Sequence, residues 1–141
     1  MFTNQTLFRS TFACVRKISP VFFHTSVIKR SGQVLDCSKD TFNKLVIEAR
    51  EPVIVDFYAD WCGPCKVLAP ILERTVKENK KVTLVKLNTD DNPELTEKYQ
   101  ISALPTVHAF YKGKSMNNFI GVKSLGEIKS FVENAASLAN E

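Results

Sequence analysis

Val53-Ile54-Val55-Asp56-Phe57-Tyr58 restricts the fold more than any other segment, because five of its six residues are β-branched or aromatic and only one is charged. A strand without polar alternation is buried on both faces, and such strands belong to sheets covered by helices on each side. The segments around it supply those helices. Residues 33–36 read as a short strand. Ser38 or Asp40 caps a helix with Phe42, Leu45, Val46 and Ala49 at i, i+3, i+4, i+7, which Glu51-Pro52 stops. After the central strand comes a turn and a helix over 62–79, with Val67, Leu68, Ile71, Leu72 and Val76 inward and Pro70 as a kink.

The second half continues the pattern. Residues 82–88 alternate as a strand, Asp90-Asp91-Asn92-Pro93 starts a short helix through Tyr99, and Thr106–Tyr111 is a strand. Lys112-Gly113 turns it into a hairpin partner over 115–120. Ser124-Leu125-Gly126-Glu127 is a capping box, opening a last helix that buries Leu125, Ile128, Phe131, Val132, Ala135 and Leu138. The order implies an α/β fold: a central mixed five-stranded sheet, parallel early and closed by an antiparallel hairpin, flanked by helices on both faces. With 141 residues the chain has room for one domain of ordinary size.

The charge is unevenly spread. Five of the 19 basic side chains (Arg9, Arg16, Lys17, Lys29, Arg30) lie in the first 31 residues, which hold no Asp or Glu, leaving 14 against all 15 acidic groups in the remainder. The basic balance thus belongs to the leader, and the rest lacks the dense positive footprint that binding a phosphate backbone needs, so no nucleic-acid partner is expected. No stretch approaches 18 consecutive apolar residues, so no membrane span is expected either. The leader is rich in hydroxyls, and at roughly 100° per residue Leu7, Phe8, Phe12, Val15 and Ile18 share one side of a helix while Arg9, Arg16 and Lys17 share the other. That is the pattern of a mitochondrial targeting segment, whereas a secretory signal needs an uninterrupted apolar core. The expected division is a cleaved presequence over 1–31, with cleavage between residues 20 and 32, and a folded domain over 32–141 located in the mitochondrial matrix.

The chemistry concentrates where the buried strand hands over to the long helix. Cys62 stands at the helix start, where amide N–H groups without intrahelical partners and the helix dipole stabilise a thiolate. Its sulfur is therefore the expected nucleophile. Cys65, one turn on, is within reach to displace a mixed disulfide and close an intramolecular bond, which makes the pair a two-electron redox centre. Pro64 fits a first helical turn without losing a needed N–H, and Gly63-Pro64 favours a compact turn around the sulfurs. A carboxylate at Asp56, inside an apolar strand, is expected to have a raised pKa and to work as a base near neutral pH.

Trp61-Cys62-Gly63-Pro64-Cys65 after Val55-Asp56-Phe57-Tyr58-Ala59 resembles the thioredoxin family, and the leader resembles that of its mitochondrial members. The likeness covers roughly residues 34–136 and extends to Pro70, Lys86-Leu87-Asn88, Leu104-Pro105-Thr106, Gly113 and Gly121. It implies the thioredoxin fold and protein-disulfide reductase activity. The resemblance further implies that Asp56 takes the proton from Cys65, that Lys86 lies near Asp56 and opposes its raised pKa, and that Gly63 with Pro64 tunes the pair toward reduction. By the same resemblance, Trp61, Leu104, a cis Pro105 and Gly121 are expected to form the client-docking surface, with the Leu104 backbone opposite the thiols. The domain itself binds no cofactor, because NADPH and FAD belong to a partner, thioredoxin reductase. Implied clients include peroxiredoxins and methionine sulfoxide reductases, and the chain is expected to act as a monomer. Tyr58 stands where many members have Trp, and Leu104 where Ile or Met is common; both keep bulk and bear on client preference.

Other readings of the same residues are weaker. A zinc site at Cys62 and Cys65 needs two more ligands, and Cys14, His24, Cys37 and His108 offer no second paired spacing, so no metal is expected. His108, within an apolar strand, reads as a satisfied core or edge histidine, Cys37 as a free structural thiol, and Asp90-Asp91 as a solvated helix start. Two rival functions are a non-catalytic binding module of the same fold and a secreted disulfide isomerase. The first predicts that Cys62→Ser changes nothing, and the second predicts a removed secretory signal.

Overall fold

A computed structural model describes residues 31–140. Apart from Ser31, the expected presequence lies outside the described residues. The elements are β1 (Val34–Cys37), α1 (Lys39–Phe42) running into a π-helical stretch (Asn43–Ile47), β2 (Val53–Tyr58), α2 (Gly63–Asn79), β3 (Thr83–Asn88), α3 (Pro93–Lys98), β4 (Thr106–Tyr111), β5 (Lys114–Ile120) and α4 (Leu125–Ser137), followed by a short 3₁₀ turn (Leu138–Asn140). The strands form one sheet in the order β1-β3-β2-β4-β5. β1, β3 and β2 are parallel, while β4 and β5 are antiparallel to their neighbours. The expected α/β architecture, a mixed five-stranded sheet between helices, is what the chain forms.

β2 lies at the centre of the sheet, which accounts for its lack of polar alternation. Ile54 joins Leu84, Val107 and Ala109 under α2 and α4, whose Leu68, Leu72, Val76, Ile128 and Val132 complete that core. Val53, Val55 and Phe57 point to the opposite face, against Phe42, Val46, Leu95 and Phe110. Asp56 therefore falls, by the two-residue period of a strand, on the α2 side.

Several details depart from the sequence expectation. The first helix is shorter: Glu48 N–H donates to Asn43 O at 2.8 Å, an i→i−5 bond that widens the last turn, and Ala49 falls in the connection beyond it. Val67 is 55% exposed, because the buried stripe of α2 runs through Cys65, Leu68, Leu72, Thr75 and Val76, and Val67 sits beside it. Leu125 is 52% exposed, since it occupies the first turn of α4, ahead of the stretch that reaches the sheet. The hairpin turn needs positive φ at both central residues, and Lys112 and Gly113 have φ of 49° and 76°. A Cβ on Gly113 would stand 3.1 Å from Ile47 O, a tight approach that a side chain could make only if Ile47 gave way slightly.

Candidate redox site

The carboxyl ends of parallel β2 and β3 deliver two adjacent turns, and the register Tyr58↔Asn88 sets them side by side. In the first, Ala59, Asp60 and Trp61 lead into α2, with Cys62 as its N-cap residue and Pro64 in its first turn. Cys62 and Cys65 are joined by a disulfide with Cα atoms 5.3 Å apart. The Cys65 N–H donates to Cys62 Sγ at 3.2 Å, so a helix-start amide is aimed at the sulfur expected to carry negative charge. Both cysteines are almost fully buried, packed with Ala59 against Tyr58 and Leu104.

The residues singled out from sequence fall into two groups around this disulfide. On the outside, Trp61 is 71% exposed, and its Nε1–H donates to Asp90 Oδ2 at 2.9 Å. The Leu104–Pro105 peptide bond is cis, as the resemblance implies, and Leu104 touches the cluster that holds the two sulfurs. Gly121 has φ of 80° and donates its N–H to Pro105 O at 2.8 Å, which fixes the end of β5 beside the proline. Gly63 has open space where a Cβ would be.

On the inside, Asp56, Tyr58, Asp60, Cys65, Lys66 and Lys86 border a cleft of about 130 Å³ behind the disulfide. Asp56 is 1% exposed, and its Oδ1 has no hydrogen-bond partner. Burial pushes its carboxyl up to about 7, against the pull of the Lys86 ammonium and with a smaller upward push from Glu73. Lys86 is the register partner of Asp56, as expected, yet its Nζ bonds Glu73 Oε1 at 3.1 Å and lies 5.4 Å from the centroid of the Tyr58 ring. Burial works against the charged form of Lys86, but the bond to Glu73 and nearby carboxylates outweigh it and hold the pKa above its ordinary value.

Sequence reasoning missed two participants. Glu73 lies 13 positions before Lys86, on a different element, and nothing local couples them. Asp90 read as part of a solvated helix start, whereas it holds the Trp61 indole; parallel pairing of β2 with β3 was the available signal. Among the described residues, the remaining thiol and imidazole are not among those that border the site. Cys37 is free, with Sγ donating to Ser38 O at 3.3 Å, and His108 Nδ1 is 3.0 Å from Ser115 Oγ amid Phe57, Tyr99 and Phe110. Cys14 and His24 lie outside the described residues. Among the described residues no group of three or more His, Cys, Asp or Glu side chains could hold a metal ion, and no helix is long and apolar enough to cross a membrane.

An arrangement of this kind can accept and release two electrons by thiol–disulfide exchange, with one sulfur activated by the helix start and a buried carboxyl behind its partner. Comparison with known proteins points the same way. The thioredoxin family model matches residues 33–134. The chain is 41% identical over 112 residues to the mitochondrial thioredoxin of Rattus norvegicus, covering 79% of this chain and 67% of that protein. It is 42% identical over 111 residues to the chloroplastic M-type thioredoxin of Chlamydomonas reinhardtii, covering 77% of each. It is also 36% identical over 96 residues to the bifunctional thioredoxin reductase/thioredoxin of Mycobacterium leprae, covering 67% of this chain and 21% of that one. The matched part spans 56% to 67% of the length of the mitochondrial relatives.

Proposed function

This chain belongs to the thioredoxin family, and from that premise we propose that it is a protein-disulfide reductase cycling between a Cys62-Cys65 dithiol and disulfide. The observation that carries the reading is the disulfide at the start of α2, with a helix amide directed at Cys62 Sγ.

In the reduced chain the Cys62 thiolate attacks one sulfur of a client disulfide. A Cys62–client bond forms, and the other client sulfur leaves as a thiolate that takes a proton from water. Asp56 accepts the proton of Cys65, directly or across the cleft they share. The Cys65 thiolate then attacks Cys62 Sγ, the Cys62–client bond breaks, and the second client thiolate leaves to be protonated. Client sulfurs gain two electrons, and the chain loses the same two. Lys86 tunes Asp56, while Gly63 and Pro64 keep the turn around the sulfurs compact. Trp61, Leu104, Pro105 and Gly121 form the rim where an extended client segment docks.

Restoring the dithiol takes two electrons from NADPH through the FAD of a thioredoxin reductase, and this chain binds neither cofactor. Support for that partner comes from the Mycobacterium leprae relative, whose name joins the two activities in one polypeptide. Peroxiredoxins and methionine sulfoxide reductases are the proposed clients, met by a monomer. The relatives divide between mitochondrial and chloroplastic proteins, so the acid-free basic leader with its two-sided pattern is what supports the mitochondrial matrix.

The test is turnover of a protein disulfide by the purified chain with NADPH and thioredoxin reductase, beside a Cys62→Ser control. Activity lost in the control supports the cycle, and equal turnover in both discards it. Import into isolated mitochondria, with N-terminal sequencing of the product, tests the leader: processing between residues 20 and 32 is expected.

A further inference from the structure

Lys86 has more than one acidic neighbour to choose from. On the sheet it stands in register between Asp36 on β1 and Asp56 on β2, so three charged side chains line up across adjacent strands on the face that α2 covers. From α2 above, Glu73 reaches the same ammonium. The Lys86–Glu73 pair closes at 3.1 Å, with both side chains about one-quarter exposed, and Lys77 approaches the other Glu73 oxygen at 3.9 Å. Asp56, buried and adjacent, is left with an oxygen that no donor reaches. A buried carboxylate beside an ammonium would ordinarily capture it, and the capture would hold the acid ionised. Here a more exposed carboxylate has taken the cation.

We propose that Glu73 is a positioning residue: by holding the Lys86 ammonium on the α2 side, it keeps Asp56 unpaired and able to exchange a proton with Cys65. This rests on the reading of Asp56 as the base for Cys65. Without Glu73, Lys86 swings to Asp56 and makes it a carboxylate that neither keeps nor returns a proton near neutral pH. Other charged or titratable groups facing Asp56 are Cys65 and Lys66 from α2 and Tyr58 and Asp60 from β2 and its turn, with Asp36 beyond Lys86. Lys66 is exposed, which leaves Lys86 as the partly buried cation whose placement sets the balance.

The experiment reads the protonation midpoint of Asp56 in the oxidised full-length chain, by carboxyl-carbon NMR from pH 4 to 9, without client or reductase. Glu73→Gln is expected to lower the midpoint by about one pH unit, the smaller end of what a close cation does to a carboxyl. Lys86→Met is expected to raise it. In the Lys86→Met background, Glu73→Gln should move it less than half as far, because only the direct effect of the Glu73 charge remains. An unmoved midpoint in Glu73→Gln, or an equal shift with and without Lys86, overturns the proposal. The acid limb of client release, followed by stopped-flow, should move with the midpoint and not with stability. Since the midpoint needs no turnover, an inactive wild-type chain would refute the proposed reductase activity alone, and an unmoved midpoint in an active chain would refute the role of Glu73 alone.

Discussion

The Trp61 indole N–H donates to the Asp90 carboxylate at 2.9 Å, tying the turn that carries the disulfide to the turn that follows β3. The ring itself is 71% exposed, so this bond, more than packing, fixes where a large apolar surface stands beside Cys62. Asp90→Ala is expected to leave stability within about 1 kcal/mol, as for an exposed hydrogen bond. It should raise KM for a protein disulfide several-fold with little change in kcat. Trp61 is the sole tryptophan in the chain, so its fluorescence anisotropy reports the release directly; an unchanged signal together with an unchanged KM would refute the docking role.

Asp56 gives stability an unusual pH dependence. Its carboxyl titrates near 7 in the folded chain, raised by burial from 3.8. Between those values the folded chain holds a proton that the unfolded chain has lost, so stability falls as pH rises from about 4 to above 7. Asp56→Asn removes the cost of burying the charge. It should stabilise the fold above pH 7 by on the order of 4 kcal/mol and converge with wild type below pH 4. The same substitution should slow client release by roughly a hundredfold. Urea midpoints at pH 4, 6 and 8, measured for both proteins, check the first part; a difference that does not grow with pH contradicts it.

These two residues show which features were legible in the sequence. Asp56 was readable because its signal is local: a charge inside an apolar strand implies burial wherever the strand goes, and β2 occupies the centre of the sheet. The Ser124–Glu127 capping box, the Lys112-Gly113 turn and Cys62 at a helix start are local in the same sense. The partners of Trp61 and Lys86 were not readable, because they depend on strand register and on how α2 lies over the sheet. Val67 and Leu125 mislead for a related reason: apolar periodicity marks a helix face but neither the width of the stripe that is covered, which Val67 lies beside, nor where along the helix the covering begins, which Leu125 precedes.

His108 acts on stability in the opposite direction from Asp56. Burial among Phe57, Tyr99 and Phe110 lowers its pKa below the ordinary 6.5, so the unfolded chain binds its proton first as the solution is acidified. Its contribution is fully present above pH 6.5 and is lost as pH falls through the folded pKa. His108→Phe keeps a ring in the cluster and removes the titration, leaving the exposed Ser115 hydroxyl to water. Relative to wild type, the variant should gain stability as pH falls below 6.5. Thermal unfolding at matched pH values measures this, and a constant offset across the range would rule out a titration of His108.

Two glycines with nearly the same backbone angle separate conformational strain from crowding. Gly113 and Gly121 have φ of 76° and 80°, where an L side chain costs roughly 1–2 kcal/mol. A Cβ at Gly121 meets nothing within 4 Å, while at Gly113 it meets Ile47 O at 3.1 Å and Ile47 Cγ2 at 3.2 Å. Gly121→Ala should therefore cost only the backbone term, about 1 kcal/mol. Gly113→Ala adds a displacement of the π-helical stretch that supports Val46 in the core, and its loss should exceed that of Gly121→Ala by a further 1 kcal/mol or so. Chemical denaturation of the two variants decides the point. Equal losses would mean that Ile47 yields without cost, and that the angle alone requires glycine at the hairpin.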